Sequence, residues 1–310
     1  MTPDAITRPA VAVVGVGTMG SAMARRLLDH GFEVRAWDRS PEPRNALAAF
    51  GADVMDDPHQ AVADVAVVLT MLSTPAAVTD VMVGAGVLDA IPSGAVWAQM
   101  GTIGIDATRE LDALVRERHP EVLFVDAPVS GSKTPAERGE LVVLASGPEE
   151  ATATVDPVFA ALGRRTLWLG PAGAGSQMKL VLNTWLAFEI EAAAESAALA
   201  DRFGISPATL TDALEGIPLV SPYALTKLAK MQADDDSVEF PLAWALKDLD
   251  LVADAVPPEV TPVARAIAAR WRELVSHGDG RLDVSAAHHG LGIRRDTERT
   301  DEGTGKEKWT

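Results

Sequence analysis

The sequence contains no cysteine at all. The chain therefore has no disulfide, no thiolate metal site and no cysteine nucleophile. Basic residues are scarce beside acidic ones, 27 against 44, and the formal net charge is −17. A protein whose main task is to hold nucleic acid needs a basic surface, so this charge argues against a nucleic-acid partner. One local lysine or arginine is still enough to bind a carboxylate substrate.

Long apolar runs are missing too, because no stretch approaches the roughly 18 to 20 apolar residues that a membrane span requires. The segment Met1–Ala10 carries Asp4 and two prolines and does not resemble a signal peptide. We therefore expect a cytoplasmic protein with no membrane partner. Its length of 310 residues exceeds what one compact core usually holds and predicts two domains.

Short β-branched runs alternate with helical segments through the first half of the chain. This alternation predicts an α/β fold in which a parallel sheet is covered by helices on both faces. Strands are predicted at Val11–Val14, Glu33–Trp37, Val65–Leu72, Ala95–Gln99, Leu123–Val125, Leu141–Ala145 and Thr166–Leu169, and helices at Ser21–His30, Ala76–Val83, Asp106–Glu117 and Ala151–Leu162.

The pattern changes near Gly173, after which only helical signals occur. Gln177–Arg202 has neither glycine nor proline and predicts one long helix of roughly 25 residues. Shorter helices are predicted at Ser206–Leu214, Pro222–Ala233, Leu242–Ala255 and Thr261–Ser276. We therefore predict a first domain over residues 1–170, a helical domain over 171–293 and a disordered, polar tail over 294–310.

A glycine-rich motif, Gly15-Val16-Gly17-Thr18-Met19-Gly20, follows the first strand and opens the first helix. In this context it predicts a dinucleotide-binding turn. Gly15 allows the tight turn, Gly17 lets the backbone approach a pyrophosphate, and Gly20 allows close packing of helix on strand. Thr18 and Met19 lie at the helix N-terminus, whose N–H groups and dipole attract phosphates.

The end of the second predicted strand decides between the two nicotinamide cofactors. Asp38 stands where a carboxylate usually accepts the ribose 2′-hydroxyl of NAD, whereas Arg39 and Ser40 would accommodate the 2′-phosphate of NADP. We expect NADP to be preferred and NAD to remain possible. Met71 and Leu72, at the end of a neighbouring predicted strand, complete the expected cofactor contacts.

Four motifs in chain order resemble the β-hydroxyacid dehydrogenase family, the relatives of 3-hydroxyisobutyrate dehydrogenase and tartronate semialdehyde reductase. They are the glycine-rich motif continued through Ala24, Asp126-Ala127-Pro128-Val129-Ser130-Gly131, Gly173-Ala174-Gly175-Ser176-Gln177-Met178-Lys179 with Asn183 following, and Lys247-Asp248-Leu249. The resemblance covers roughly residues 10–290.

This resemblance implies a Rossmann-type, doubly wound parallel sheet, a long connecting helix and an all-α C-terminal domain, associated as a homodimer or homotetramer. It also implies hydride transfer between NAD(P) and a small 3-hydroxy acid or its semialdehyde. The chain departs from the family at several positions, so no particular hydroxy acid is carried over. The departures are Ser132 and Pro135 in place of glycine, Gly101-Thr102 in place of a Ser-Thr pair, and Leu182 in place of asparagine.

Lys179 is the predicted catalytic residue. A lysine near a helix N-terminus and apolar neighbours can act as an acid in reduction and a base in oxidation. Asn183 lies four residues on, hence on the same helix face, and its amide could orient a substrate hydroxyl or fix the lysine.

Other residues are expected around the substrate and the nicotinamide. Ser130, Gly131 and Ser132 follow a strand, where a hydroxyl and backbone N–H groups can hold a carboxylate. Thr102 follows another strand at the same edge and is assigned to the cofactor, and Lys247 could close over the nicotinamide or substrate.

Two alternatives remain open on the sequence. An imine reductase shares this architecture, but Lys179 speaks against it. A non-catalytic dinucleotide-binding module is opposed by Lys179, Asn183 and Ser130, although a fold does not determine function. No metal is expected, because His288-His289 has no further ligand at metal spacing in the sequence and Asp234–Asp236 is typical of a solvated turn.

Overall fold

The computed structural model describes residues 8–291, so the tail predicted at 294–310 lies outside the described residues. The chain separates into two compact units. The first comprises the residues up to Asn183 together with Asp248–Pro257, and the second comprises Thr184–Lys247 together with the residues from Pro258 on. The division falls within two helices, whereas the sequence placed a single boundary near residue 170.

A six-stranded parallel sheet forms the centre of the first unit, in the order β3-β2-β1-β4-β5-β6. This is the strand order of a Rossmann fold. Its strands are β1 Val11–Val14, β2 Val34–Trp37, β3 Asp53–Val54, β4 Val67–Thr70, β5 Val96–Gln99 and β6 Leu123–Asp126. The central strands β1, β4 and β5 are buried throughout, as expected when helices cover both faces, whereas the edge strand β3 is not.

Helices pack on both faces of this sheet around two separate apolar cores, because successive strand residues point to opposite sides. Val11 and Val13 belong to one core, whereas Ala12 and Val14 belong to the other. The helices are α1 Thr18–Asp29, α2 Pro41–Ala48, α3 Pro58–Val62, α4 Pro75–Val78 with a following π-helical turn at Thr79–Gly84, α5 Ile105–Arg118, α6 Lys133–Arg138, α7 Thr152–Leu162 and the first part of α8 Ala174–Arg202. The predicted doubly wound sheet is confirmed.

The strands predicted last in the first domain form a second, smaller sheet. It contains β7 Val129–Ser130, β8 Leu141–Ala145 and β9 Gly163–Trp168; β7 pairs with β8 antiparallel and β8 with β9 parallel. The sequence pattern did not distinguish this mixed sheet from the parallel one. It also missed the short elements α2, β3, α3, β7 and α6, because two to eight residues carry too little periodicity.

The described part of the second unit is helical, as predicted. Its elements are the rest of α8, α9 Pro207–Leu214, α10 Pro222–Ala233, part of α11 Leu242–Ala255 and α12 Pro262–Ser276, with 3₁₀ turns at Pro258–Val260, Asp279–Arg281 and Val284–His288. Lys227 and Asp283 form a buried ion pair at 2.7 Å within it. Among the described residues no helix combines the length and apolar character that a membrane span requires.

Candidate active site

The glycine-rich turn has the geometry that its three glycines predict. Gly15 has φ of +95°, and a side chain there would meet the Met71 backbone oxygen at 2.7 Å. A Cβ on Gly20 would lie 1.9 Å from the Gly15 oxygen, so α1 packs against the turn without room for a side chain. Around Gly17, in contrast, nothing described lies within 4 Å of such a Cβ. The turn therefore has no room for a side chain at Gly15 or Gly20 but has open space at Gly17, where a pyrophosphate would approach the protein backbone.

The N-terminus of α1 is suited to an anion. Its N-cap residue is Gly17, which has no side chain to satisfy the first N–H groups, and the first turn contains no acidic residue. Thr18, Met19 and Gly20 therefore present N–H groups and the positive end of the helix dipole beside the open middle of the turn. These residues fit the pyrophosphate of a dinucleotide.

Asp38 faces the same turn. One carboxylate oxygen, Oδ2, accepts the Val16 N–H at 2.9 Å, and the other accepts the Ser40 N–H at 2.9 Å. The carboxylate is thus turned toward the glycine-rich loop, in the position from which it can accept a ribose hydroxyl. Arg39 is exposed, and Ser40 is the N-cap of α2 without a side-chain capping bond.

The carboxyl ends of five strands lie in one row of the sheet, which places the predicted cofactor residues at one edge. The paired residues of that row are Trp37, Val14, Thr70, Gln99 and Asp126. The loops that begin after the row carry Asp38, Gly15, Met71 with Leu72, Thr102, and Ser130. Ligands of parallel sheets bind outside this edge.

A buried polar network shapes the loop before Thr102. The Gln99 Nε2 donates to the Gly101 oxygen at 2.7 Å, and its Oε1 accepts the Gly101 N–H at 3.0 Å. Thr70 donates to the same Oε1 at 3.2 Å. A Cβ on Gly101 would lie 2.3 Å from the Leu72 oxygen, so the two loops touch. Leu72 and Thr102, both half-buried, are thereby brought together beside the glycine-rich turn.

Asp126 connects the sheet to the long helix α8, a role that sequence reasoning missed. It is fully buried. Its Oδ2 accepts the N–H groups of Gly173 at 3.1 Å and Ser176 at 2.8 Å and the Ser146 hydroxyl at 3.1 Å, and its Oδ1 accepts the Ser176 hydroxyl at 2.8 Å. The carboxylate therefore satisfies the first N–H groups of α8 and complements its dipole.

Burial raises the pKa of Asp126 above its usual value, and the hydrogen bonds from Ser176, Ser146 and Gly173 offset part of that rise. The adjacent Gly175 has no room for a side chain, because its Cβ would lie 2.1 Å from the Leu144 oxygen. In the sequence Asp126 is distinguished only as the first residue of the Asp126–Gly131 motif. Its position at the end of a strand was the available signal.

Lys179 lies in the second turn of α8 and is half-buried. Asn183 is on the same face one turn later and is buried. Its Nδ2 donates to Oδ2 of the buried Asp248, which belongs to the same unit. A carboxylate only accepts hydrogen bonds, so this contact determines which way the amide points. The amide oxygen is then the group that can serve the lysine or a substrate hydroxyl.

Ser130 is half-buried at the end of β7, and Gly131 follows it with φ of +129°. A side chain at Gly131 would meet Leu141 at 2.8 Å and Pro135 at 3.1 Å. Ser132 is the N-cap of α6, and its hydroxyl makes no capping bond. The loop therefore offers two hydroxyls. Lys247 differs from these residues, since it lies half-buried on α11 in the second unit.

Comparisons with known proteins agree with this geometry. A model of the NAD binding domain of 6-phosphogluconate dehydrogenase matches residues 10–170. A model of the NAD-binding region of NADP-dependent 3-hydroxyisobutyrate dehydrogenase matches residues 173–290. Glyoxylate/succinic semialdehyde reductase 1 of Arabidopsis thaliana is 32% identical over 289 residues, which cover 92% of this chain and 99% of the relative.

Solved structures extend the comparison. Mycobacterium tuberculosis 3-hydroxyisobutyrate dehydrogenase with L-serine has a TM-score of 0.81 and 29% identity, over 92% of this chain and 99% of that one. An imine reductase from Myxococcus stipitatus in complex with NAD+ has a TM-score of 0.62 and 19% identity, over 90% of this chain and 98% of that one. An identity this low shows a shared fold alone.

Proposed function

This chain belongs to the β-hydroxyacid dehydrogenase family, and from that premise we propose that Lys179 transfers the proton in an NAD(P)-dependent oxidation or reduction of a small 3-hydroxy acid. L-Serine, present in the mycobacterial relative, is itself a small 3-hydroxy acid. The plant relative is named for glyoxylate and succinic semialdehyde, which are small carboxylates with a reducible carbonyl. A small carboxylic acid that also carries a hydroxyl or a carbonyl group is therefore the substrate class.

The bound nicotinamide supplies or takes up the hydride, and the chain supplies the proton. In reduction the Lys179 ammonium donates a proton to the substrate oxygen, and in oxidation the neutral amine removes it. Asn183, oriented by Asp248, accepts a hydrogen bond from the lysine or the substrate hydroxyl. Ser130 and Ser132 bind the carboxylate through their hydroxyls, and Gly131 keeps the loop close to the small sheet.

The anchoring of α8 is the observation that carries this proposal. Asp126 stands in the last row of the parallel sheet and accepts the N–H groups of Gly173 and Ser176. The helix that bears Lys179 therefore begins at the sheet edge where dinucleotides bind. A lysine that was merely solvated on the surface would not require a helix whose first turn is anchored by a buried carboxylate.

The cofactor preference belongs to the same proposal. The fold and family bind NAD(P). We keep the expectation that Arg39 favours NADP, while Asp38, turned toward the loop, opposes a 2′-phosphate. Arg39→Ala should weaken NADPH more than NADH in a fluorescence titration. Equal losses would show that Arg39 does not contact the phosphate.

We also propose that the protein works in the cytoplasm as a homodimer or homotetramer. Val181, Trp185 and Phe188 recur at three- and four-residue spacing on α8 and are 63%, 67% and 37% exposed. Such an apolar stripe on a long helix is typical of a face that another protein surface covers. A second copy of this chain is the proposed partner, and analytical ultracentrifugation measures the assembly.

The test is Lys179→Ala, assayed with NADPH and NADH on a panel of hydroxy acids, semialdehydes and cyclic imines. We expect turnover to fall at least about a hundredfold with cofactor affinity nearly unchanged, as general acid–base catalysis predicts. Gln177→Ala, an exposed change on the same helix, is the matched control and should retain activity.

Three results would contradict the proposal. Wild-type rates in Lys179→Ala would remove the proton-transfer role. Cofactor binding by the wild-type chain with no turnover on any panel member would favour the binding module. Turnover with cyclic imines alone would favour the imine reductase.

A further inference from the structure

Two histidines and several aspartates meet in the second unit, in residues that the proposed function does not use. Ligand atoms of Asp234, His288 and His289 all lie within 4.8 Å of one another. His288 Nε2 is 3.9 Å from an Asp234 oxygen, and His289 Nε2 is 3.7 Å from Asp236 Oδ1. The sequence offers the histidine pair no further ligand at metal spacing, whereas in the structure the turn after α10 brings Asp234 and Asp236 beside it.

The hydrogen bonds of the two imidazoles determine which nitrogen is left for a ligand. His288 Nδ1 lies 2.8 Å from the Ser285 backbone oxygen, and His289 Nδ1 lies 3.0 Å from Asp279 Oδ2. Both partners only accept, so each Nδ1 carries the hydrogen, and the tautomer compatible with these bonds has its lone pair on Nε2. A carbonyl or carboxylate behind the ring is the usual arrangement for a metal-binding histidine.

The distances between each histidine Nε2 and the carboxylate oxygen that faces it suit metal coordination better than hydrogen bonding. Separations of 3.7 and 3.9 Å exceed those of a hydrogen bond. With metal–ligand distances of about 2.0–2.2 Å, adjacent ligand atoms of a tetrahedral zinc site lie roughly 3.4 Å apart. The ligand atoms of Asp234, His288 and His289 lie up to 4.8 Å apart, so side-chain rotations that draw them together around an ion would bring these residues and Asp236 into that geometry.

Asp236 supplies an independent observation. Its Oδ1 is buried and makes no hydrogen bond within the part of the chain that the structure describes. A buried carboxylate oxygen without a partner is destabilising unless a cation or a donor satisfies it. This is also the oxygen that faces His289.

The charges around the histidine pair also favour a bound cation. Asp234, Asp236 and Asp279 bring three carboxylates to two imidazoles, so negative charge is in excess. A divalent cation would offset this charge.

We propose that His288, His289, Asp234 and Asp236 bind one divalent transition-metal ion, with zinc as the best match. Two imidazole nitrogens and two carboxylate oxygens form a donor set that suits zinc, whereas magnesium and calcium prefer oxygen alone. The ion ties the turn after α10 to the 3₁₀ segment Val284–His288. The role is structural, since all four positions are filled by side chains.

The binding experiment uses the full chain without a polyhistidine tag, freed of metal by a chelator and then dialysed. Isothermal titration with zinc chloride should give one site per chain with a dissociation constant in the micromolar range or below. Zinc should also raise the thermal unfolding midpoint by several degrees, because it binds the folded state. Magnesium chloride at the same concentration should do neither.

Variants distinguish this site from incidental surface binding. His289→Gln and Asp236→Asn should each weaken zinc binding at least about tenfold. Asp279→Asn should weaken it to a similar degree, because Asp279 accepts the hydrogen bond from His289 Nδ1 and so orients that ring. His277→Gln is the matched control, because His277 is exposed in the same unit and lies outside the cluster. Its affinity should equal that of the wild type.

The proposal is overturned if the wild-type chain shows no saturable zinc binding. It is also overturned if His289→Gln, Asp236→Asn and His277→Gln bind zinc with the same affinity. If one variant fails to fold, the other two cluster variants still decide the outcome.

Discussion

Asp126→Asn tests the claim that a single buried carboxylate sets the position of α8. The asparagine has nearly the same shape, but it has no charge and replaces one acceptor oxygen by a donor. Its oxygen can still accept the Gly173 and Ser176 N–H groups, which the carboxylate now accepts at 3.1 and 2.8 Å. What changes is the strength of these bonds and their match to the helix dipole.

The magnitude follows from those contacts. A hydrogen bond to a charged group contributes about 1.5–3 kcal/mol and a neutral one about 0.5–1.5 kcal/mol, so two backbone bonds lose about 2 kcal/mol together. The helix dipole adds about 0.3–1 kcal/mol. Asparagine is easier to bury than a carboxylate, and the raised pKa of Asp126 indicates that this gain offsets much of the loss. We expect the free energy of unfolding to fall by about 1 kcal/mol.

Two assays measure the result. Chemical denaturation should show the lower stability, and steady-state kinetics should show a lower kcat, because the helix that carries Lys179 loses its anchor. Cofactor affinity should change little, since the glycine-rich turn is untouched. The control is Asp156→Asn, the same substitution at a half-buried residue that accepts the Trp168 N–H at 3.1 Å.

The reasoning is refuted if Asp126→Asn is as stable as the Asp156→Asn control and retains wild-type kcat. Asp126→Ala is a poorer test. It would leave four donors without their acceptor, at about 1–3 kcal/mol each, a loss comparable with the whole stability of a typical domain.

Three further predictions rest on single contacts. Asp38→Asn should improve NADPH affinity relative to NADH about tenfold, because a like charge beside the 2′-phosphate is removed; an unchanged ratio in a fluorescence titration would contradict this. Gly20→Ala places a Cβ 1.9 Å from a backbone oxygen and should lower both the stability of the protein and its affinity for the cofactor. Gly17→Ala has open space around it and should lower cofactor affinity alone. Scanning calorimetry should show a lower unfolding temperature for Gly20→Ala but not for Gly17→Ala. Lys227→Met leaves Asp283 buried without its cation and should cost about 3–5 kcal/mol, and a denaturation midpoint like the wild type would show that the pair is neutral.

The elements that the sequence predicted well are those with long, uninterrupted periodicity. α10 and α11 begin and end where the sequence placed them, and α8 is longer than predicted only at its start. Proline and serine mark such helix starts locally, and apolar spacing marks the buried face. The glycine-rich turn was equally predictable, because each glycine answers a local steric demand at Gly15, Gly17 or Gly20.

The candidate site was predicted in part. The chain positions of Lys179 and Asn183 on one helix face follow from helical geometry. Their neighbours do not, because Asp126 lies 50 positions before Ser176 and Asp248 lies 65 positions after Asn183. A motif can bring such residues to attention, but it cannot say which atoms meet.

The sequence by itself determined the order of strands and helices, the dinucleotide-binding turn and the family, because all of these depend on contacts within a few residues or on motifs read in chain order. Tertiary structure alone decided that β7, β8 and β9 form a separate sheet, that Asp126 supports α8, and that Asp234 and Asp236 lie beside His288 and His289. Each of these depends on pairing between segments far apart in the chain, and local propensity carries no information about which distant partner is chosen.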